Sequence, residues 1–173
     1  HGVKENADWR HRFWASLGVR RADRTLSATE TVRAELGAAW LVPSEKLRVC
    51  PWGAGPPFSE VSPPDVIDEV VPGRLRLPED PFFLAPGAVR AKKNLAALLH
   101  GFAHAHAQGL RAQLVITGPE TADLRRNLGL VSKLGLARWV STPGELSDQD
   151  LASLYRLCAG TCVLSHSEGF ALP

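Results

Sequence analysis

The sequence contains no methionine and begins with His1. A natural start is missing, so the chain is expected to be a piece of a longer protein, cut at both ends. No apolar run approaches the roughly 20 residues of a membrane-spanning helix. The opening residues His1-Gly2-Val3-Lys4-Glu5 are too polar for a signal peptide. Excess charge of one sign is also lacking. A net charge of +2 gives no strong field toward nucleic acid or a membrane. Cysteine is scarce and odd in number, with Cys50, Cys158 and Cys162 only. Without a secretory signal this favours free thiols in a reducing compartment. Cys158 and Cys162 stand four apart, but no second Cys or His pair at ligand spacing accompanies them. All three therefore read as buried structural thiols rather than as metal or redox groups.

What is present is an ordinary globular composition. The chain has 173 residues, 45% hydrophobic and 22% charged, enough for one medium domain or a small one plus part of another. Residues 8–22 carry Trp9, Phe13 and Leu17 at helical spacing among arginines, an amphipathic helix. Thr25-Leu26-Ser27 reads as a short strand or turn. Ser27-Ala28-Thr29-Glu30 fits a capping box for a helix carrying Val32 and Leu36 and ending at Gly37. Lys46 to Cys50 reads as a strand. Eight of the thirteen prolines then fall between Pro51 and Pro81. Proline cannot donate to a strand ladder or sit inside a helix, so this stretch is irregular, and it is too long for an ordinary loop. It reads as an interdomain linker.

After Pro81 short apolar strands alternate with amphipathic helices. Strands are expected at 82–85, 113–117, 139–142 and 161–165. Helices are expected at 92–108, with Leu95, Leu98, Leu99 and Phe102 on one face, and at 121–134, with Leu124, Leu128 and Val131 inward. A third starts from Ser147 as cap and Asp150 as its box partner, with Leu151, Leu154, Tyr155 and Cys158 on its inner face. This alternation argues for an α/β fold, a parallel sheet with helices on both faces. Such sheets bind ligands at the carboxyl ends of their strands.

Three strand ends carry the chemistry. The apolar run Thr161-Cys162-Val163-Leu164 reads as a buried strand leading into Ser165-His166-Ser167-Glu168-Gly169-Phe170-Ala171-Leu172-Pro173. A small, Gly-containing turn there would present backbone N–H groups to an anion, with Glu168 facing the same crevice. After the first strand comes Pro86-Gly87-Ala88-Val89-Arg90-Ala91-Lys92-Lys93-Asn94. Gly87 allows a tight turn. Arg90, Lys92 and Lys93 then crowd the next helix N-terminus, where cations oppose the helix dipole. Free amides and positive charge together suit a phosphate, although on bare chemistry a solvated basic turn is the plainer reading. Gly118-Pro119-Glu120 follows the second strand beside the same crevice. His100 and His104 are four apart on a helix, but no Glu follows His100, and both point away from the apolar face. They read as solvated. His166 reads as part of the loop's structure, Tyr155 as core, and Trp9 and Trp14 as packing residues.

Taken together, residues 82–173 resemble the donor domain of glycosyltransferase family 4, the large retaining group with GT-B architecture. The resemblance rests on Phe83 through Leu95 with its glycine, basic pair and Asn-Leu, on Leu114 through Gly118, on Val140 through Leu157, and on Ser165 through Pro173. Residues 24–58, with Trp52-Gly53-Ala54-Gly55, are similar to the end of the preceding domain. The implied division is 1–58 as the remnant of the acceptor domain, 59–81 as the linker, and 82–173 as the first half of the nucleotide-sugar domain. The resemblance implies a retaining hexosyltransferase, mannosyltransferase-like, acting in polysaccharide or glycolipid synthesis on a GDP- or UDP-sugar. The acceptor would be a sugar or lipid-linked sugar. It implies no metal cofactor and no nucleic acid partner. A cytoplasmic location follows, compatible with peripheral contact at the inner face of a membrane. Lys93 would contact the donor diphosphate and Glu168 the donor sugar. Gly87, Arg90, Lys92, Gly118, Gly169, Phe170, Ala171 and Leu172 would line the donor, with the base near Glu145 and Leu146. A further family glutamate falls beyond Pro173. Two positions depart from the pattern. Ala88 stands where an arginine is common, leaving Arg90 or Lys92 to compensate, and Ala171 stands where glycine is common. The fragment alone is expected to be inactive. Ala88 also motivates a second reading, a non-catalytic nucleotide- or carbohydrate-binding GT-B-like module. A flavodoxin-like regulator would need acidic residues where the chain has Pro86-Gly87.

Overall fold

The computed structural model describes residues 9–59, 73, 75, 80–166 and 168. The chain divides into two compact units, one ending at Gly53 and the other starting at Ala54. Most of the proline-rich segment 59–81 lies outside the described residues.

The first unit holds α1 (Trp9–Arg21), β1 (Thr25–Ser27), α2 (Glu30–Trp40) and β2 (Leu47–Val49). β1 and β2 pair in parallel, Thr25 opposite Leu47, with α2 as the crossover. Lys46 Nζ donates to the carbonyls of Arg20 and Ala22 at 3.2 and 3.1 Å, a cation on the carbonyl end of α1. Three expectations change here. The cap of α2 is Thr29, whose hydroxyl accepts from Val32 N at 3.2 Å, whereas Ser27 Oγ donates to the Thr29 and Arg48 carbonyls. Ser27 is committed to the strand pair, so the next hydroxyl residue caps. The helix also runs past Gly37 to Trp40 and stops at Leu41 in the left-handed region (φ 54°). Gly37 remains helical and faces Leu47, where a Cβ would sit 3.6 Å from its Cδ1. On α1, Phe13 and Trp14 are exposed rather than buried.

The second unit is a four-stranded parallel sheet. Its strands are β3 (Phe82–Ala85), β4 (Gln113–Thr117), β5 (Val140–Gly144) and β6 (Gly160–Thr161), in the order β5-β4-β3-β6. Between them lie α3 (Leu95–Ala107), α4 (Ala122–Lys133) and α5 (Asp148–Leu157). The period of two along each strand splits the core. Ala85, Leu114 and Ile116 face Leu95, Leu99 and Phe102 of α3 and Leu124 and Val131 of α4. Phe82, Leu84 and Val115 face the other way, against Leu154 of α5. Ser147 caps α5 as expected, its hydroxyl accepting from Asp150 N at 3.2 Å. Leu128 is exposed, so the buried stripe of α4 is narrower than expected.

The chain steps from β3 to β4 to β5, then returns across the opposite face to β6 on the far side of β3. The strand order therefore reverses between β3 and β6. In a doubly wound sheet that reversal opens a crevice at the carboxyl ends of the two strands. β6 itself is shorter than expected. Its ladder covers Gly160–Thr161 and continues with Cys162 N donating to Leu84 O at 2.7 Å. Val163 and Leu164 are exposed, 36% and 41%, instead of buried. Among the described residues the strand has a neighbour on one side only, which leaves its other side uncovered. Cys50 is likewise exposed, while Cys158 and Cys162 are half-buried. No helix among the described residues is long and apolar enough to cross a membrane.

Candidate donor site

The crevice floor is a set of loops tied together by backbone. Gly87 and Gly118 both have positive φ, 91° and 121°, at the ends of β3 and β4. A Cβ on Gly118 would lie 2.7 Å from both the carbonyl carbon and oxygen of Gly87, so the two turns pass closer than any side chain allows. Gly118 N also donates to Gly144 O at 2.8 Å, joining the β5 turn to the same edge. Thr121 completes the set. Its hydroxyl caps α4 through Leu124 N at 3.0 Å and donates to Val89 O at 2.7 Å, holding the β3 loop from outside.

The basic turn departs from the expected continuous helix. Ala91–Lys93 form a single 3-10 turn, Asn94 takes a left-handed conformation (φ 53°, ψ 39°), and α3 starts only at Leu95. Asn tolerates that conformation better than most residues because its side chain is short and polar. Asn94 thus separates the Lys92-Lys93 turn from α3. Lys92 and Arg90 remain exposed, and Lys93 is half-buried.

Lys93 reaches across the crevice. Its Nζ lies 2.7 Å from Glu168 Oε1, bringing together two residues far apart in the chain, one beyond β3 and one beyond β6. Ser165 Oγ donates to the same oxygen at 2.6 Å. The bonds from Lys93 and then Ser165 hold the Glu168 carboxyl below the ordinary carboxylate range, with the positive charges of Lys93 and Lys92 adding to them. A lowered acid value means the folded chain favours the ionised carboxylate. Its stabilisation is present in full above the ordinary glutamate value of about 4.3 and is lost as pH falls through the lowered one. Thermal unfolding between pH 7 and pH 3 should therefore show an acid loss that Glu168→Gln reduces. An unchanged acid profile in that variant would assign the loss to other carboxylates.

Beside the ion pair is an open cleft lined by Gly87, Val89, Lys93, Ile116, Cys162 and Ser165 among others. The exposed Val163 and Leu164 contribute to its wall. Glu145 is exposed at the end of β5, whereas Leu146 packs on the Phe82, Leu84, Val115 and Leu154 core. Gly169, Phe170, Ala171 and Leu172 lie outside the described residues. His100 and His104 are exposed on α3, and His166 is exposed with its backbone N–H on Lys92 O at 2.9 Å. Sequence reading passed over Ser165 as a partner of Glu168, Thr121 as the clamp on the β3 loop, and the contact between Gly87 and Gly118. The serine's place three residues before the glutamate was the one available signal. Among the described residues no group of three His, Cys, Asp or Glu side chains could hold a metal ion.

A family model described as glycosyl transferases group 1 matches residues 68–173. The chain belongs to the group 1 glycosyl transferases. The serotype-specific mannosyltransferase WbdA of Escherichia coli is 27% identical over 156 residues, which make up 88% of this chain and 19% of WbdA. This group 1 chain thus spans about a fifth of that relative's length. Among solved structures, a sucrose-phosphate synthase from Thermosynechococcus elongatus superposes with a TM-score of 0.78 at 22% identity, covering 99% of this chain and 42% of that one. The Anabaena protein HepE in complex with UDP-glucose gives 0.74 at 15% identity, covering 94% of this chain and 44% of that one. At these identities the likeness is one of fold, the GT-B arrangement, matched over part of its length.

Proposed function

We propose that this group 1 chain belongs to a retaining hexosyltransferase of family 4 type. It uses a UDP- or GDP-sugar and a sugar or lipid-linked acceptor, works without a metal, and acts in polysaccharide or glycolipid synthesis on the cytoplasmic side of a membrane. Residues 1–58 are then the end of the acceptor domain, 59–81 the linker, and 82–173 the first part of the donor domain. The observation that carries this reading is the Lys93–Glu168 pair at the point where the strand order reverses. The two neutralise each other across 2.7 Å. A donor offers each a better partner. The diphosphate draws the ammonium, and the sugar hydroxyls donate to the carboxylate. As the glycosidic bond breaks, negative charge grows on the departing diphosphate, and a fixed cation there stabilises it. Arg90, Lys92 and the amides of Gly87 and Gly169 to Leu172 add to the same anion site, and Gly118 shapes it. The nucleotide base lies toward Glu145 and Leu146. The names of WbdA and of the HepE complex support a nucleotide-sugar donor.

The test is a thermal-shift panel of UDP, GDP and ADP on the full-length protein, with and without EDTA. Ligand at about a hundred times its dissociation constant adds roughly 2.7 kcal/mol, a rise of several degrees for a domain of this size. A rise with UDP or GDP, unchanged by chelator, is the expected result. No rise with any of the three would leave a non-catalytic module of the same fold.

A further inference from the structure

Glu168 Oε1 carries two hydrogen bonds, from Lys93 Nζ at 2.7 Å and from Ser165 Oγ at 2.6 Å. Oε2 has no hydrogen-bond partner among the described residues. The two donors differ in what else they have to do. On the reading above, Lys93 turns to the diphosphate when the donor arrives, and a lysine engaged there no longer holds Glu168 as firmly. Among the described residues the Ser165 hydroxyl bonds to Glu168 alone. Its position is also set independently of the ion pair. Cys162 N bonds to Leu84 O at 2.7 Å and His166 N to Lys92 O at 2.9 Å, so backbone bonds on both sides fix the segment to β3 and to the basic turn. Ser165 lines the same cleft as Lys93 and Gly87.

We infer that Ser165 is a positioning residue: its hydroxyl keeps Glu168 Oε1 in place while Lys93 serves the diphosphate, leaving Oε2 to accept from a hydroxyl of the donor sugar. This rests on the donor-site reading of Lys93 and Glu168. Its consequence is specific. Losing the hydroxyl should affect recognition of the sugar and spare recognition of the diphosphate. The groups that act on Glu168 are Lys93 and Lys92 on the basic turn and Ser165 on its own segment. Of these, Ser165 is the one removed.

The experiment is calorimetric titration of the full-length wild type, Ser165→Ala and Ser165→Thr. The probes are UDP against UDP-glucose and GDP against GDP-mannose. Hydrogen bonds to charged groups are strong enough that Ser165→Ala should lose about tenfold in affinity for the nucleotide sugar. Affinity for the bare diphosphate should stay within about twofold, because among the described residues the hydroxyl's hydrogen bond goes to Glu168 and none goes to Lys93 or Gly87. Ser165→Thr should recover the loss. The acid limb of nucleotide-sugar binding should move to higher pH in Ser165→Ala. Equal losses on diphosphate and sugar nucleotide would make Ser165 a loop scaffold and overturn the inference. So would affinities unchanged on both. Wild-type protein that binds neither probe would instead remove the donor site, and this role with it.

Discussion

Replacing Gly118 by alanine should destabilise the second unit by at least about 3 kcal/mol, combining left-handed backbone strain with a steric overlap. The strain arises because φ is +121°. The overlap is the larger part. A Cβ at this position meets the carbonyl carbon and oxygen of Gly87 at 2.7 Å and Ala88 N at 3.0 Å. These are backbone atoms, so no rotamer change relieves the contact. The β3 turn has to move, and it is held on its far side by Thr121 on Val89 O. Gly87→Ala is the natural comparison. Its φ is also positive, 91°, but nothing lies within 4 Å of a Cβ there. That variant should show the strain alone, about 1–2 kcal/mol. Urea unfolding of both variants separates the effects. Equal losses would mean that the close approach of the two turns is relieved cheaply, and that the crevice floor is softer than its backbone bonds imply. Because the displaced turn leads into the basic residues, Gly118→Ala should also weaken nucleotide binding in whatever fraction remains folded.

That close approach shows where sequence reading stops. The strands and helices of the second unit were legible because burial imposes a period. Phe82 and Leu84 face one way, Ala85 the other, and an alternating apolar run records it. Ser147 was legible as a cap because capping is a local hydrogen bond. Lys93 and Glu168 were legible one at a time, each beyond a strand end. Their 2.7 Å pairing follows from strand order, which puts β3 beside β6. What did not show was decided by contacts between distant segments. Thr29 rather than Ser27 caps α2 because Ser27 is used by Arg48 across the strand pair. Val163 and Leu164 look like buried-strand residues by composition, yet β6 stands at the edge of the described sheet and both are exposed. Asn94 looks like helix from its neighbours, yet its left-handed backbone separates the Lys92-Lys93 turn from α3.

Lys93→Ala should separate stability from function more sharply than any other substitution here. The ion pair is partly exposed, with side-chain exposures of 25% and 22%. Pairs near the surface contribute about 1 kcal/mol or less, and Ser165 still holds the Glu168 carboxylate when the lysine is gone. Unfolding should therefore change little. Turnover by the full-length enzyme should fall about a hundred- to a thousandfold, the usual cost of removing a fixed group that stabilises developing charge. Ala88 strengthens the expectation, since no arginine stands directly after Gly87 to share the work, and Arg90 and Lys92 are solvent-exposed. Glu168→Gln and the double variant complete the cycle. If the donor separates the two residues, their losses in nucleotide-sugar affinity should depart from additivity by the energy of the pair in the free protein, about 1 kcal/mol or less, because each single variant already removes the contact that binding has to break. Strictly additive losses would mean instead that the pair persists unchanged with donor present and serves to hold the loop. A turnover loss no larger than the stability loss would place the diphosphate cation elsewhere, with Arg90 and Lys92 the next residues to replace.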